Sequence, residues 1–217
     1  TEPKVLITER QMVSMINEVK SDLPPLTVIV HDPKETNHDY IEELANVELD
    51  GQFPFFSFDS FTKGNVTNPN IEMHDYDIAN IIYTSGTTGP AKGVVQSYRW
   101  IHGYTYFFRA FNKQEDVIYC DLPMYHVGGA FALVARAAFV GCTVAMWDKF
   151  SPNDFWSRIK VSGATNAILL DVMIPWLMKA DPSENDRNNT LNRVHMQPLP
   201  QYHHDVAKRF GINFISA

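Results

Sequence analysis

Short apolar runs alternate along this chain with longer stretches in which apolar residues recur at helical spacing. The short runs predict strands at residues 5–7, 28–30, 78–83, 117–122, 143–147, 167–170 and 212–215. The longer stretches predict helices at residues 8–20, 97–111, 128–139, 172–179 and 199–210. A further helix is predicted to open with a capping Ser151 and with Pro152 at its first position. This alternation indicates an α/β fold with a largely parallel sheet flanked by helices.

Residues 31–70 follow neither period clearly. The segment is rich in Pro, Asn, Asp and Gly, and it carries an aromatic cluster at residues 53–61. Such a composition is typical of loops. We therefore expect a loop-rich segment that its aromatic side chains hold against the core.

Composition narrows the class of protein. The 217 residues would suit one large or two small domains, and 45% of them are hydrophobic. A net charge of −7 without a basic run argues against a nucleic-acid-binding surface. Arg136 and Gly141 interrupt the longest apolar stretch, residues 127–147, so no membrane span is expected. Because Cys120 and Cys142 resemble reduced core residues and no signal-peptide pattern is visible, we expect a cytoplasmic protein.

The segment at residues 83–94, YTSGTTGPAKGV, carries the strongest functional signal. It follows a predicted strand and supplies four Ser/Thr hydroxyls, three glycines and a lysine. Glycines let the backbone approach a ligand closely, and N–H groups, hydroxyls and a mobile positive charge suit a polyphosphate. The pattern predicts a phosphate-binding loop in a nucleotide-using enzyme. A flexible surface turn is the structural alternative.

Two common phosphate-binding patterns do not fit this loop. The Walker A pattern needs Ser or Thr after its lysine, whereas Gly93 follows Lys92, and the Rossmann pattern needs an opening Gly-x-Gly. The order of residues instead resembles the phosphate-binding signature of the adenylate-forming superfamily, which includes acyl- and aryl-CoA synthetases, luciferases and the adenylation domains of peptide synthetases. The matching positions are Thr84, Ser85, Gly86, Thr87, Thr88, Gly89, Lys92, Gly93 and Val94. Pro90-Ala91 replaces the usual x-Pro and leaves the Gly-to-Lys spacing unchanged.

A second segment extends the resemblance. Residues 122–129, LPMYHVGG, resemble the LP-[L/M]-[F/Y]-H-x-x-G segment that follows the loop in this family. The family places the aromatic/His pair beside its acyl-binding pocket, so the resemblance implies a substrate pocket at Tyr125, His126 and Gly128. Considered alone, a histidine in a turn is also a structural hydrogen-bonding group.

Within the superfamily, the chain is most similar to the crotonobetaine/carnitine–CoA ligase group, through residues 182–187 (PSENDR). It departs from most relatives at residues 195–198 (HMQP), where they carry Gly-Gly-Ala beside the adenine ring. A betaine substrate would need aromatic or acidic surroundings. Tyr98, Trp100 and Tyr104 either line such a pocket or simply pack their helix.

The resemblance implies ATP-dependent activation of a small-molecule carboxylate. The carboxylate attacks the α-phosphate of ATP, and the thiol of coenzyme A then displaces AMP to give a thioester. Lys92 is implied as a catalytic, mobile electrostatic group, and Mg²⁺ is expected with ATP, with no metal ligand in this chain. The groups implied to bind the β- and γ-phosphates are the hydroxyls of Thr84, Ser85, Thr87 and Thr88 and the backbone of Gly86 and Gly89.

The extent of the chain leads to a further expectation. It ends at Ala217, directly after the last predicted strand, whereas relatives continue with further motifs and a small C-terminal domain. We therefore expect residues 1–217 to be a partial N-terminal ATP- and acyl-binding domain that alone forms neither acyl-adenylate nor thioester. Two alternatives stay open: a non-catalytic nucleotide- or acyl-binding domain of the same superfamily, and an unrelated α/β interaction module.

Overall fold

The computed structural model describes residues 2–31, 48–51, 53–84 and 89–216. The chain divides into two compact units, Thr1–Ile71 and Glu72–Ala217. Each unit has its own sheet and its own apolar core. Among the helices of the described residues, none combines the length and the apolar character needed to cross a membrane.

The described part of the first unit contains a small parallel sheet. Its strands are β1 (Val5–Glu9), β2 (Thr27–His31) and β3 (Phe55–Ser57), in that order. Helix α1 (Val13–Glu18) lies between two 3-10 turns, Arg10–Met12 and Lys20–Asp22, and α2 (Phe58–Thr62) follows β3. The core consists of Val13, Ile16, Leu26, Val28, Val30 and Phe53.

The aromatic cluster at residues 53–61 differs from its predicted role. Only Phe53 is buried, while Phe55, Phe56 and Phe61 are 42%, 49% and 54% exposed. The segment forms β3 and α2 instead of a loop, because β3 pairs in parallel register with β2, as at Val28 and Phe55. A partner strand that lies far away in sequence decides this outcome.

The second unit begins with a hairpin and continues as a parallel α/β sheet. The antiparallel hairpin consists of β4 (Ile78–Tyr83) and β5 (Gly93–Ser97). The parallel strands are β6 (Val117–Cys120), β7 (Thr143–Met146), β8 (Asn166–Ile168), β9 (Arg193–His195) and β10 (Asn213–Ile215). In the described residues, their order in the sheet is β10-β9-β8-β6-β7.

Helices follow most of these strands. They are α3 (Tyr98–Arg109), a π-helix (Gly128–Ala135) that continues as α4 (Arg136–Val140), α5 (Phe155–Ser162), α6 (Ile174–Met178) and α7 (His203–Phe210). Two 3-10 turns, Asp171–Met173 and Glu184–Arg187, complete the set in the described residues.

Helices cover both faces of the parallel sheet. The register aligns Ile118 of β6 with Asn166 of β8 and Arg193 of β9. Because side chains alternate between the two faces along a strand, His195, two residues after Arg193, lies on the same face as Ile118, and Tyr119 lies on the opposite face. His195 contacts Phe108 of α3 at 5.1 Å between ring centroids, whereas Tyr119 contacts Phe155 of α5 at 5.3 Å. The predicted fold class, α/β with a largely parallel sheet flanked by helices, is therefore confirmed.

Two predicted helix starts are wrong for local reasons. The helix predicted at residues 199–210 begins only at His203, because a proline disfavours helical backbone in the residue before it and Pro200 lacks an N–H. The helix predicted to open at Ser151 begins at Phe155. Ser151 instead heads a turn, in which its carbonyl accepts from the N–H groups of Asp154 and Phe155.

Candidate functional site

The Ser/Thr/Gly-rich loop is closed at its base by the β4–β5 hairpin. Tyr83 pairs with Gly93 at the end of the ladder. Beyond this pair, the Thr84 N–H donates to the Lys92 carbonyl at 3.0 Å, and the Lys92 N–H donates to Thr84 Oγ1 at 3.2 Å. The two hydrogen bonds hold the ends of the loop together. Outside the described residues lie four predicted phosphate-binding positions, Ser85, Gly86, Thr87 and Thr88.

Three further predicted loop residues are exposed: Thr84, Gly89 and Lys92. Gly89 has a φ of +157°, which residues with a side chain rarely adopt. The Thr84 hydroxyl accepts one backbone hydrogen bond and keeps its own proton for donation. The roles of Thr84, Gly89 and Lys92 in binding ATP stay predictions.

The segment at residues 122–129 forms a tight turn into the π-helix. His126 Nδ1 accepts a hydrogen bond from the Gly128 N–H at 3.1 Å. Because an accepting Nδ1 carries no proton, the ring proton lies on Nε2. A Cβ at Gly129 would lie 2.4 Å and 2.5 Å from the carbonyl oxygens of Pro123 and Leu122, so the turn requires glycine there.

A cavity of about 370 Å³, which we call the sheet-edge pocket, lies at the carboxyl ends of the parallel strands. In parallel α/β sheets this edge is the usual place for a ligand. The residues that follow β6, β8, β9 and β10 line it in turn: Leu122 and Pro123, Leu169 and Leu170, Met196 and Gln197, and Ser216. Helix α3 contributes Tyr104, Phe107 and Phe108.

The predicted substrate-pocket residues separate in the structure. His126 and Gly128 line the sheet-edge pocket. Tyr125 is 83% exposed and lines a second cavity, of about 440 Å³, together with Ile81, Tyr83 and other residues of β4 and the π-helix. The stem of the loop and the LPMYHVGG segment therefore meet at this second cavity. Of the aromatic candidates on α3, Tyr104 lines the sheet-edge pocket, where burial raises its pKa.

His195 is a pocket residue whose role the sequence did not indicate. It is 3% exposed, its ring contacts those of Phe108 and Phe111 edge-on, and its Nε2 has no hydrogen-bond partner among the described residues. Burial, together with the positive charges of Arg136 and Arg193, lowers the pKa of His195 to about 3. The ring is therefore neutral at pH 7. In the sequence, His195 stood out only as part of residues 195–198 (HMQP), which differ from the Gly-Gly-Ala of most relatives.

Two other buried ionisable groups also escaped prediction. Arg136, which the sequence showed only as an interruption of an apolar run, is 0% exposed. Asp121 follows β6 and is 2% exposed, and burial raises its pKa to about 6. Within the described residues, no group of three or more His, Cys, Asp or Glu side chains could hold a metal ion, so no magnesium ligand set is assigned.

Comparison with known proteins identifies the class. Residues 1–214 match the family model described as "AMP-binding enzyme", and the chain belongs to this family. Its membership confirms the resemblance to adenylate-forming enzymes. The crotonobetaine/carnitine–CoA ligase of Escherichia coli (strain SE11) is 24% identical over 217 residues, which are 98% of this chain and 40% of the ligase. The chain thus spans about two-fifths of the length of this relative.

Solved structures show the same fold. Apo MatB from Rhodopseudomonas palustris matches 99% of this chain with a TM-score of 0.73, at 19% identity and over 39% of its own length. The O-succinylbenzoate coenzyme A synthetase (MenE) of Bacillus subtilis, in complex with ATP and magnesium ion, matches 98% of this chain with a TM-score of 0.62, at 18% identity and over 48% of its length. At these identities the likeness is one of fold.

Proposed function

We propose that the protein expressed from the complete coding sequence is an AMP-forming acid–CoA ligase. It would join a carboxylate to the α-phosphate of ATP with release of pyrophosphate, and then transfer the acyl group from AMP to the thiol of coenzyme A. The observation that carries the proposal is the sheet-edge pocket, which His126 and Gly128 of the LPMYHVGG segment line. Family membership supplies the class of reaction. Because ATP and coenzyme A are its substrates, we expect it to act in the cytoplasm.

The loop at residues 84–92 is assigned to the polyphosphate of ATP. The two hydrogen bonds between Thr84 and Lys92 support this assignment, because they hold the two ends of this hydroxyl- and glycine-rich segment together. The hydroxyls of Thr84, Ser85, Thr87 and Thr88 and the backbone of Gly86 and Gly89 would contact the β- and γ-phosphates. Donors placed before the reaction stabilise the charge that develops on the leaving pyrophosphate. Lys92 would add a mobile positive charge, and Mg²⁺ bound with ATP would neutralise phosphate oxygens.

The sheet-edge pocket is assigned to the acid. Its volume and its largely apolar lining fit an acid with an apolar body, held by Tyr104, Phe107 and Phe108. His126 Nε2–H is the donor available to the carboxylate that is activated, since Nδ1 is occupied by the Gly128 N–H. Tyr125 would act from the second cavity, beside the stem of the loop. The names crotonobetaine and carnitine belong to the Escherichia coli relative, at 24% identity, and are not carried over to this pocket.

Carboxylate-dependent exchange of pyrophosphate into ATP tests the first step. The complete protein should catalyse exchange with at least one acid, and addition of coenzyme A should convert the acid to its thioester. Replacing Thr87 and Thr88 by Ala should lower the exchange rate by roughly one to three orders of magnitude, because transition-state donors are lost. Replacement of Thr67, an exposed threonine of the first unit, is the control.

An unchanged exchange rate in the Thr87/Thr88 variant would show that the loop does not bind the phosphates. Binding of ATP or an acid without exchange in the complete protein would instead favour the non-catalytic binding domain. Because the chain spans 40% of the Escherichia coli ligase, the 217 residues alone should give neither exchange nor thioester, and exchange by them would contradict this expectation.

A further inference from the structure

Arg136 is a fully buried charge whose guanidinium makes no hydrogen bond to any residue that the structure describes. It is the first residue of α4 and is 0% exposed. Its Nε, Nη1 and Nη2 atoms have no hydrogen-bond acceptor among the described residues. The ring of Phe108 lies 5.7 Å from its guanidinium carbon. Because buried charges are normally paired and hydrogen-bonded, the guanidinium of Arg136 is a candidate group for binding an anion.

The neighbouring charges do not neutralise Arg136. Asp116 is already engaged: Arg193 Nη2 lies 2.6 Å and 2.8 Å from its two carboxylate oxygens, and Thr165 Oγ1 and the Lys113 N–H donate to it as well. Burial raises the pKa values of the thiols of Cys120 and Cys142, which are therefore neutral at pH 7. Although burial lowers the pKa of Arg136 to about 10, the guanidinium stays charged at that pH. Among the described residues near Arg136, two guanidinium groups, Arg136 and Arg193, therefore face one carboxylate, Asp116.

Arg136 neighbours three residues, Ala132, Phe108 and His195, that line one part of the sheet-edge pocket, which we call its inner end. Ala132, which lines the pocket, precedes Arg136 by about one helical turn, so the two residues share a helix face. Phe108, whose ring contacts Arg136, lines the pocket too. His195 is a third wall residue, and its buried Nε2 is also unpartnered. The described residues that line the pocket include no Asp or Glu.

We propose that the inner end of the sheet-edge pocket is an anion subsite, in which Arg136 and His195 bind a second, terminal carboxylate of the substrate. The acid that is activated is then a dicarboxylate with an apolar middle, which lies along Tyr104, Phe107 and Phe108. This proposal rests on the proposed ligase function. A guanidinium matches a carboxylate with two parallel N–H donors. In the proposed complex the Phe108 ring, which contacts Arg136, would move aside so that the carboxylate reaches the guanidinium.

The charge balance also sets the expected selectivity. A monocarboxylic acid leaves Arg136 unpaired. An acid with a quaternary ammonium end gains contacts with the aromatic rings but brings a second positive charge toward the guanidinium of Arg136. A site built to pair a polar group rejects analogues that lack it much more strongly than an apolar pocket rejects a shorter chain. Diacids should therefore be preferred and the betaine should be poorest.

The test compares acids of matched length in the complete protein: glutarate with valerate, adipate with hexanoate, pimelate with heptanoate, and δ-valerobetaine. Pyrophosphate exchange gives kcat/KM, and calorimetry measures binding of the same acids directly. At least one diacid should exceed its monoacid by about tenfold or more in kcat/KM. Arg136→Met should lower this ratio by about tenfold or more, whereas Arg136→Lys should keep part of it. A variant that only loosened the fold would leave the ratio unchanged.

Each outcome decides the proposal. Monoacids that match or exceed their diacids, or an unchanged ratio in Arg136→Met, overturn the subsite while leaving the ligase function standing. Diacid binding by calorimetry without exchange supports the subsite and removes the ligase function. Absence of both binding and exchange with every acid overturns both. If Arg136→Met does not fold, the wild-type ratios and the wild-type calorimetry still decide.

Discussion

Replacement of His195 by Gln should remove a large part of the pH dependence of the second unit's stability. His195 is buried against Phe108 and Phe111, and the positive charges of Arg136 and Arg193 act on it. Burial, and then these two charges, lower its pKa to about 3 in the folded chain, against about 6.5 in an unfolded one. Between these values the unfolded chain binds a proton that the folded chain does not.

The sign and size of the effect follow by linkage. Because the folded pKa is depressed, the contribution to stability is present above about pH 6.5 and is lost as the pH falls toward 3. A pH of 5 lies about 1.5 units below the pKa of the unfolded histidine, and one pH unit corresponds to about 1.4 kcal/mol. The wild type should therefore lose about 2 kcal/mol between pH 7 and pH 5 through this residue alone.

Urea denaturation at pH 7 and pH 5, followed by tryptophan fluorescence, measures this loss. All four tryptophans, Trp100, Trp147, Trp156 and Trp176, lie in the second unit and report on it. The difference in unfolding free energy between the wild type and His195→Gln should shrink by about 2 kcal/mol from pH 7 to pH 5.

His204→Gln, the same substitution at an exposed position of α7, is the control and should change stability by less than about 0.5 kcal/mol. A constant difference between wild type and His195→Gln at the two pH values would refute the buried, neutral histidine.

Two further substitutions test buried features of the second unit. Burial raises the pKa of Asp121 to about 6, so its carboxylate destabilises the fold as the pH rises through that value. The advantage of Asp121→Asn over wild type should grow by about 1 kcal/mol from pH 5 to pH 8 in the same denaturation assay, and a constant advantage would contradict the raised pKa. Gly129→Ala should lose about 2–3 kcal/mol in thermal unfolding, since its Cβ would meet two carbonyl oxygens. Gly103→Ala, in the middle of α3 with nothing within 4 Å of the added Cβ, should instead gain up to about 1 kcal/mol, and equal losses in both variants would contradict the close approach at Gly129.

Local signals predicted the elements whose causes are local. The strand predicted at residues 78–83 is β4, Ile78–Tyr83. The helix predicted at residues 97–111 is α3, and Ser97 caps it, since its Oγ accepts from the Trp100 N–H at 3.2 Å. Strand β5 was missed, because the short run Gly93–Ser97 becomes a strand only by pairing with β4. The π-helical geometry of Gly128–Ala135 was not predicted either, because its apolar pattern suits any buried helix.

The features of the candidate site likewise fall into those that short segments predicted and those that depend on tertiary structure. The order of residues in YTSGTTGPAKGV and LPMYHVGG was enough to indicate the family, since a phosphate loop depends on residue types at short spacing. The sequence did not reveal that His126 lines the sheet-edge pocket while Tyr125 points to a different cavity.

The chemistry of the pocket's inner end depended wholly on tertiary contacts. Asp116 and Arg193 form their ion pair across 77 residues, and no carboxylate of the described residues makes a hydrogen bond to Arg136. His195 is neutral because helices from elsewhere in the chain bury it beside two guanidinium groups. Residue order within a short segment sets backbone conformation and motif identity. Burial and charge pairing arise between segments that lie far apart in sequence, so only the folded chain decides which groups are ionised, paired or left to bind a ligand.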